Sequence, residues 1–174
     1  GLETAPPAGA RHPAAPGLPA PPAVMAVNGL RAAQGARTLG LVSPYVDDVQ
    51  QKIIANYRGI GIDCVAEQHL GITVNFKFGE VEPDTLRAML REAARARPNA
   101  MTVMCTNLHA AQLVHELEAE LDIPIYDSVA TVGAQALNTV GIAPRELTGR
   151  GRFAQLFPPS TGTHHLPAQR RQEA

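Results

Sequence analysis

The sequence predicts an α/β fold built on one parallel sheet, and two observations predict it. Four short apolar runs of strand length are spaced along the middle of the chain, and stretches with helical periodicity fill the intervals between them. Strands that alternate with helices pair in parallel through right-handed crossovers. The expected architecture is four strands in the order 2-1-3-4, with helices on both faces of the sheet.

Each element has its own justification. Residues 1–23 contain seven alanines, seven prolines and three glycines. Such a stretch cannot bury enough apolar surface to offset its ordering entropy and is expected to be disordered. Pro21 and Pro22 precede an apolar helical stretch over 24–33, proline being acceptable in a first helical turn. The run 38–43 fits a buried strand. Asp47 and Asp48 then open a helix that carries Val49, Ile53, Ile54 and Tyr57 at helical spacing. Acids in a first turn complement the helix dipole. Gly59 and Gly61 end that helix, residues 62–68 form the second strand, and 70–82 are a longer connection.

The second half repeats the alternation. A helix over 84–97 places Leu86, Met89, Leu90 and Ala93 on one face and stops at Pro98. Residues 100–105 are the third strand, and a helix follows from about 108 to 121. Residues 123–126 are the fourth strand, and 128–140 the last helix, ended by Gly141. The chain thus divides into a disordered segment (1–23), one α/β lobe (24–152) and a flexible tail (153–174). The tail carries Pro158-Pro159, His164-His165 and Arg170-Arg171 without a period.

Composition removes several functions. Fifteen Lys and Arg balance sixteen Asp and Glu for a net charge of -1, whereas nucleic-acid binding normally shows a clustered basic face. Aromatics are 4% and tryptophan is absent, which disfavours base-stacking platforms and sugar clefts. No apolar run approaches the roughly 18 residues of a membrane span, and no charged-then-apolar leader is present. Two cysteines are too few for a disulfide framework and suggest a reducing compartment, so the cytoplasm is the expected location. The first residue is Gly1 and not methionine, as expected of a partial or processed chain.

In an open parallel sheet, ligands bind at the carboxyl ends of the strands, beside the point where strand order reverses. That edge collects Ser43, Pro44 and Tyr45 after strand one, Asn75 after strand two, and Cys105, Thr106 and Asn107 after strand three. Asp127 and Ser128 follow strand four. Cys105 closes an apolar strand ahead of an expected helix, where free amides and the dipole favour a thiolate. A thiol there can accept or donate a proton, or attack an electron-poor carbon. A free cysteine is also the small apolar residue that cores bury; the polar neighbours favour the chemical role.

Other constellations carry less. Cys64 begins strand two, about 20 Å from the opposite edge, so it is a packing residue and no catalytic partner of Cys105. Asp47 and Asp48 fit helix capping better than metal binding. Cys105, His109, His115, His69 and the His164-His165 pair lack a common ligand geometry, so zinc is not expected. Gly59-Ile60-Gly61 precedes a strand, unlike a dinucleotide loop, which follows one.

The segments Ser43-Pro44-Tyr45-Val46-Asp47-Asp48, Asn75-Phe76, Cys105-Thr106-Asn107-Leu108 and Tyr126-Asp127-Ser128-Val129-Ala130-Thr131 resemble the Asp/Glu racemase superfamily. The match is closest to its maleate cis-trans isomerase and arylmalonate decarboxylase branch, and covers about residues 24–153. The resemblance implies a two-lobed enzyme without cofactor or metal, its active site lying between pseudo-symmetric lobes that each supply a cysteine. In maleate isomerases the amino-terminal cysteine attacks the alkene. The carboxyl-terminal one, matched by Cys105, protonates the neighbouring carbon. Tyr45 and Asn75 match residues that contact substrate carboxylates, with Ser43, Thr106 and Asn107 as further candidates for the substrate site.

The expected substrate is therefore a small dicarboxylate, maleate converted to fumarate. Arylmalonate decarboxylation, amino-acid racemisation or ectoine utilisation are alternatives in the same superfamily. The chain matches the carboxyl-terminal lobe alone, so it is expected to associate as a homo-oligomer or with a missing amino-terminal lobe. A catalytically incomplete fragment that only binds ligand or a partner lobe is the remaining alternative.

Overall fold

The computed structural model describes residues 35–139, 142–144 and 151–152. The expected disordered segment 1–23, the helix over 24–33, the stop at Gly141 and the tail 153–174 lie outside the described residues.

Alternation along the apolar runs organises the sheet. Strand β1 (Thr38–Ser43) turns Leu39 and Leu41 to one face and Val42 to the other, and both sides are buried. It lies centrally, paired in parallel with β2 (Asp63–His69) on one flank and β3 (Ala100–Val103) on the other. Strand β4 (Ile125–Asp127) pairs in parallel with β3, giving the order β2-β1-β3-β4 expected from the sequence. Gly40 in β1 lets Met101 and Pro98 pack close, since a Cβ there would lie 3.0 Å from Met101 Cγ.

Helices cover both faces. Helix α1 (Asp47–Gly59) packs Ile53, Ile54 and Tyr57 against Leu39, Leu41, Ala100 and Tyr126, and α4 (Ser128–Thr139) adds Ala130 and Ala134 on that side. Helices α2 (Pro83–Ala94) and α3 (Val114–Leu121) bury Leu86, Leu90, Ala93, Val114 and Leu117 against Val42, Met101, Val103 and Ile125. The chain therefore leaves β1 towards β2 and returns on the other side to β3. The segments that leave the carboxyl ends of β1 and β3 run to opposite sides, the switch point at which a crevice forms in such sheets.

Several boundaries differ from the sequence reading, and proline explains three of them. Strand β3 stops at Val103, short of Cys105. Met104 N donates to Val42 O at 2.9 Å, and the next ladder bond would need an amide hydrogen that Pro44 lacks. Strand β4 starts at Ile125, not at 123, because Pro124 has only its carbonyl to offer, to Met101 N at 2.8 Å. Helix α2 ends at Ala94, since Pro98 disfavours helical backbone at Arg97, whose φ is 51°.

Helix α3 begins at Val114, and residues 106–113 form successive turns in place of the expected helix start at 108. Leu108, Ala110 and Leu113 are all buried, and no single helical face could present that spacing to the core. The connection over 70–82 holds a short 3-10 helix, Asn75–Glu80, pinned by buried Phe78. No helix among the described residues is long and apolar enough to cross a membrane.

Candidate active site

The crevice is built by two loops that the sheet ends deliver and a third that closes over them. Beyond β1, Pro44 and Tyr45 are held in place by the chain leaving β2. Leu70 N donates to Ser43 O at 3.2 Å, Gly71 N to Tyr45 O at 3.0 Å and Ile72 N to Pro44 O at 2.9 Å. This strap fixes the Tyr45 backbone and leads directly into the 3-10 helix. Phe78 of that helix meets the Tyr45 ring edge-on, with centroids 5.8 Å apart at 77°.

Beyond β3, Cys105 is 8% exposed at the floor of the crevice. The Tyr45 ring packs against the cluster that includes Cys105, and burial first, with the neighbouring thiol second, pushes the Tyr45 phenol up to about 12. Tyr45 is therefore a neutral donor at physiological pH. Asn107 N also donates to Cys105 Sγ, at 3.4 Å. The Asn107 side-chain amide donates to Asn75 Oδ1, so the two asparagines form one exposed polar rim above the thiol. Cys105 does not face a helix N-terminus, because α3 starts nine residues later at Val114.

The structure thus brings Tyr45, Cys105, Asn75 and Asn107 together, with Thr106 exposed between the last two positions of the β3 loop. It does not bring Ser43 to the crevice surface. Ser43 is wholly buried, and its Oγ donates to Gln50 Oε1 at 2.6 Å and accepts from Tyr45 N at 3.3 Å. Cys64 lies near the start of β2, half-buried, with its thiol pushed up to about 11 chiefly by burial. Asp47 and Asp48 occupy the first turn of α1 as expected, where Asp48 pairs with Lys52 at 3.2 Å, but the N-cap is Val46 and no side chain caps it.

Asp127 ends β4 and caps α4, its Oδ1 accepting from Val129 N at 2.9 Å and Ala130 N at 2.8 Å. Its Oδ2 is buried without a hydrogen-bond partner among the described residues, and burial pushes the carboxyl up to about 6. Ser128 Oγ donates to Val103 O at 2.8 Å, so these two residues serve the sheet edge. No group of three or more His, Cys, Asp or Glu among the described residues is arranged to hold a metal ion. A shallow groove lined by Gln68, Asp84, Thr85, Ala88, Met89 and Glu92 shares no residue with the crevice.

Sequence reasoning missed Gln50, Glu67 and His69, which lie behind Tyr45. The signal was present: Gln50 stands at the helical register of Ile53, Ile54 and Tyr57, a polar residue on an apolar face.

A family model described as arylmalonate decarboxylase matches residues 9–154. The chain belongs to the arylmalonate decarboxylase family. An arylmalonate decarboxylase from Bordetella bronchiseptica is 29% identical over 142 residues, which are 80% of this chain and 59% of that protein. A maleate isomerase from Nocardia farcinica is 28% identical over 128 residues, 73% of this chain and 50% of that protein. The Nocardia farcinica maleate cis-trans isomerase with a covalently bound succinylcysteine intermediate superimposes with a TM-score of 0.70 at 20% identity, over 76% of this chain and 54% of that one. This likeness establishes the fold. The chain spans between half and three fifths of the length of the curated family relatives it matches.

Proposed function

We propose that this chain forms one wall of a cofactor-independent, cysteine-dependent active site that isomerises a small dicarboxylate, maleate to fumarate. Cys105 moves the proton at the carbon beside a carboxylate. The observation that supports this reading is the juxtaposition of a nearly buried thiol, a protonated phenol and a paired-amide rim in one crevice. Neutral donors suit carboxylate oxygens, because they bind charge without neutralising it and strengthen as charge develops in the transition state. On this reading Tyr45, Asn75, Asn107 and Thr106 hold the carboxylates, and Ser43 acts from behind through Tyr45.

The reaction closes without redox change. A thiolate from the opposing wall forms a C–S bond at one alkene carbon, and the displaced electron pair takes the Cys105 proton at the other. The new single bond rotates. The Cys105 thiolate then removes the proton it gave, the C–S bond breaks, and the trans alkene leaves. Cys64 is on the far edge of the sheet and is not that second thiol. The coverage of the relatives supports a second α/β lobe as the opposing wall, with residues 24–152 forming one lobe, and the succinylcysteine in the Nocardia enzyme supports a cysteine adduct as the intermediate.

The family match favours one second reading, decarboxylation of an arylmalonate. Loss of carbon dioxide leaves an enediolate that takes its proton from Cys105, and a single thiol suffices. Proton NMR of the protein with maleate and with phenylmalonate separates the two. Fumarate from maleate supports isomerisation, and an arylacetate from phenylmalonate supports the second reading. Silence with both substrates from a protein that carries both walls removes both.

A further inference from the structure

We propose that Gln50, Glu67 and His69 form a positioning relay that holds Tyr45 against Cys105, an inference that rests on the reading of that pair as the reactive centre. The three residues come from three places in the fold: the first turn of α1 and two positions of β2. Gln50 is 0% exposed. An amide side chain has two donors and an acceptor to satisfy, so its complete burial needs a reason.

The reason lies in the direction of its hydrogen bonds. Tyr45 N donates to Ser43 Oγ at 3.3 Å, and Ser43 Oγ donates to Gln50 Oε1 at 2.6 Å. Gln50 Nε2 donates to Glu67 Oε2 at 2.9 Å, the oxygen that also stands 2.9 Å from His69 Nδ1. The Glu67 Oε2 oxygen accepts from Nε2, which fixes the end of the Gln50 amide it meets. Gln50 then presents its carbonyl to Ser43, which commits the Ser43 proton inward and leaves a lone pair for the Tyr45 amide. His69 Nδ1 meets the same carboxylate oxygen from the β2 side, and its Nε2 stands 4.0 Å from Asp47 Oδ1 at the surface. The links from Tyr45 N through Ser43 and Gln50 run in one direction and end on the carboxylate.

The outcome is a Tyr45 backbone held from both sides, its N–H by Ser43 and its carbonyl by Gly71 N. The Tyr45 ring packs edge-on to Phe78 and against the cluster that includes Cys105. Among the described residues the hydrogen bonds of Gln50 and Glu67 go to Ser43, to each other and to His69, so they act through Tyr45 as positioning residues.

Alkylation of Cys105 by iodoacetamide reads this directly and needs no turnover. With Cys64→Ser as the parent, Cys105 is the one thiol of the chain. Gln50→Leu and Glu67→Leu are expected to raise the alkylation rate by about fivefold or more, the factor set by one lost hydrogen bond. Glu67→Gln still offers an acceptor to Gln50 Nε2 and is expected to stay within about twofold of the parent, a rescue that follows hydrogen bonding and not charge. If Gln50→Leu fails to fold, the two Glu67 variants decide the matter. Parent-like rates in folded Glu67→Leu, or equal rates in Glu67→Leu and Glu67→Gln, would overturn the relay. A protein that shows the expected rates yet turns over neither maleate nor phenylmalonate keeps the relay and loses the proposed reaction.

Discussion

Tyr45 and Cys105 follow adjacent strands whose onward connections part, and the strap from β2 holds the Tyr45 backbone while its ring packs on the cluster that includes Cys105. Replacing Tyr45 by Phe keeps the ring on Phe78 and removes only the hydroxyl. It is expected to lower kcat/KM by about 10- to 100-fold with an unchanged thermal midpoint, somewhat less than the loss of a full oxyanion donor. Steady-state kinetics beside thermal melting checks this. Asp127 makes a second prediction at this scale. Its carboxyl is raised from 3.8 to about 6, so the folded protein holds that proton where the unfolded chain has released it. The associated stability is fully present below about pH 4 and is lost as pH rises through about 6, by about 3 kcal/mol. Asp127→Asn keeps an oxygen to cap α4, and urea midpoints measured between those limits are expected to lose this slope. At this scale Tyr45, Asn75, Cys105 and Asn107 were legible, because each follows a strand at the edge where ligands bind. The burial of Ser43 was not, since a hydroxyl after a strand reads alike whether it faces a crevice or a glutamine.

Helices α2 and α3 show which contacts hold an element in place. Arg87 meets Glu116 at 2.5 Å and Arg91 meets Glu120 at 2.7 Å across their outer surface, while Leu86 and Leu117 are wholly buried beneath. Exposed pairs gain little in water and are screened by salt, whereas a buried leucine leaves a cavity when it is shortened. Leu117→Ala is expected to cost about 2–5 kcal/mol. Arg91→Ala should move the urea midpoint far less, with that small effect vanishing at high salt. A second buried device, Glu118, accepts from Ile125 N at 2.8 Å and Arg152 N at 2.6 Å, tying α3 to β4 and to the later chain. Strand positions were readable from apolar runs; the limits of β3 and β4 follow from Pro44 and Pro124, whose missing amides act only once a neighbouring strand is in register, while Pro98 limits α2 locally through Arg97. The start of α3 was not readable, because 106–113 contains residues that favour a helix but must bury Leu108, Ala110 and Leu113 in directions a helix cannot offer.

For the molecule as a whole, the order β2-β1-β3-β4 followed from alternation and crossover handedness, and that order sets the crevice beside Cys105. The proposed opposing wall rests on resemblance and on the share of the relatives' length that the chain spans. Phe76, 92% exposed on the rim beside Asn75, marks the open side. The central claim, that Cys105 moves the proton, has one most direct test. The protein and its Cys105→Ala variant are followed by proton NMR in deuterium oxide with maleate and with phenylmalonate. With an opposing lobe and its cysteine present, the account predicts product from the parent protein, with deuterium arriving at the protonated carbon where decarboxylation occurs, and a loss of turnover of at least about 100-fold in a folded Cys105→Ala variant. Product forming at the parent rate in that variant would contradict it.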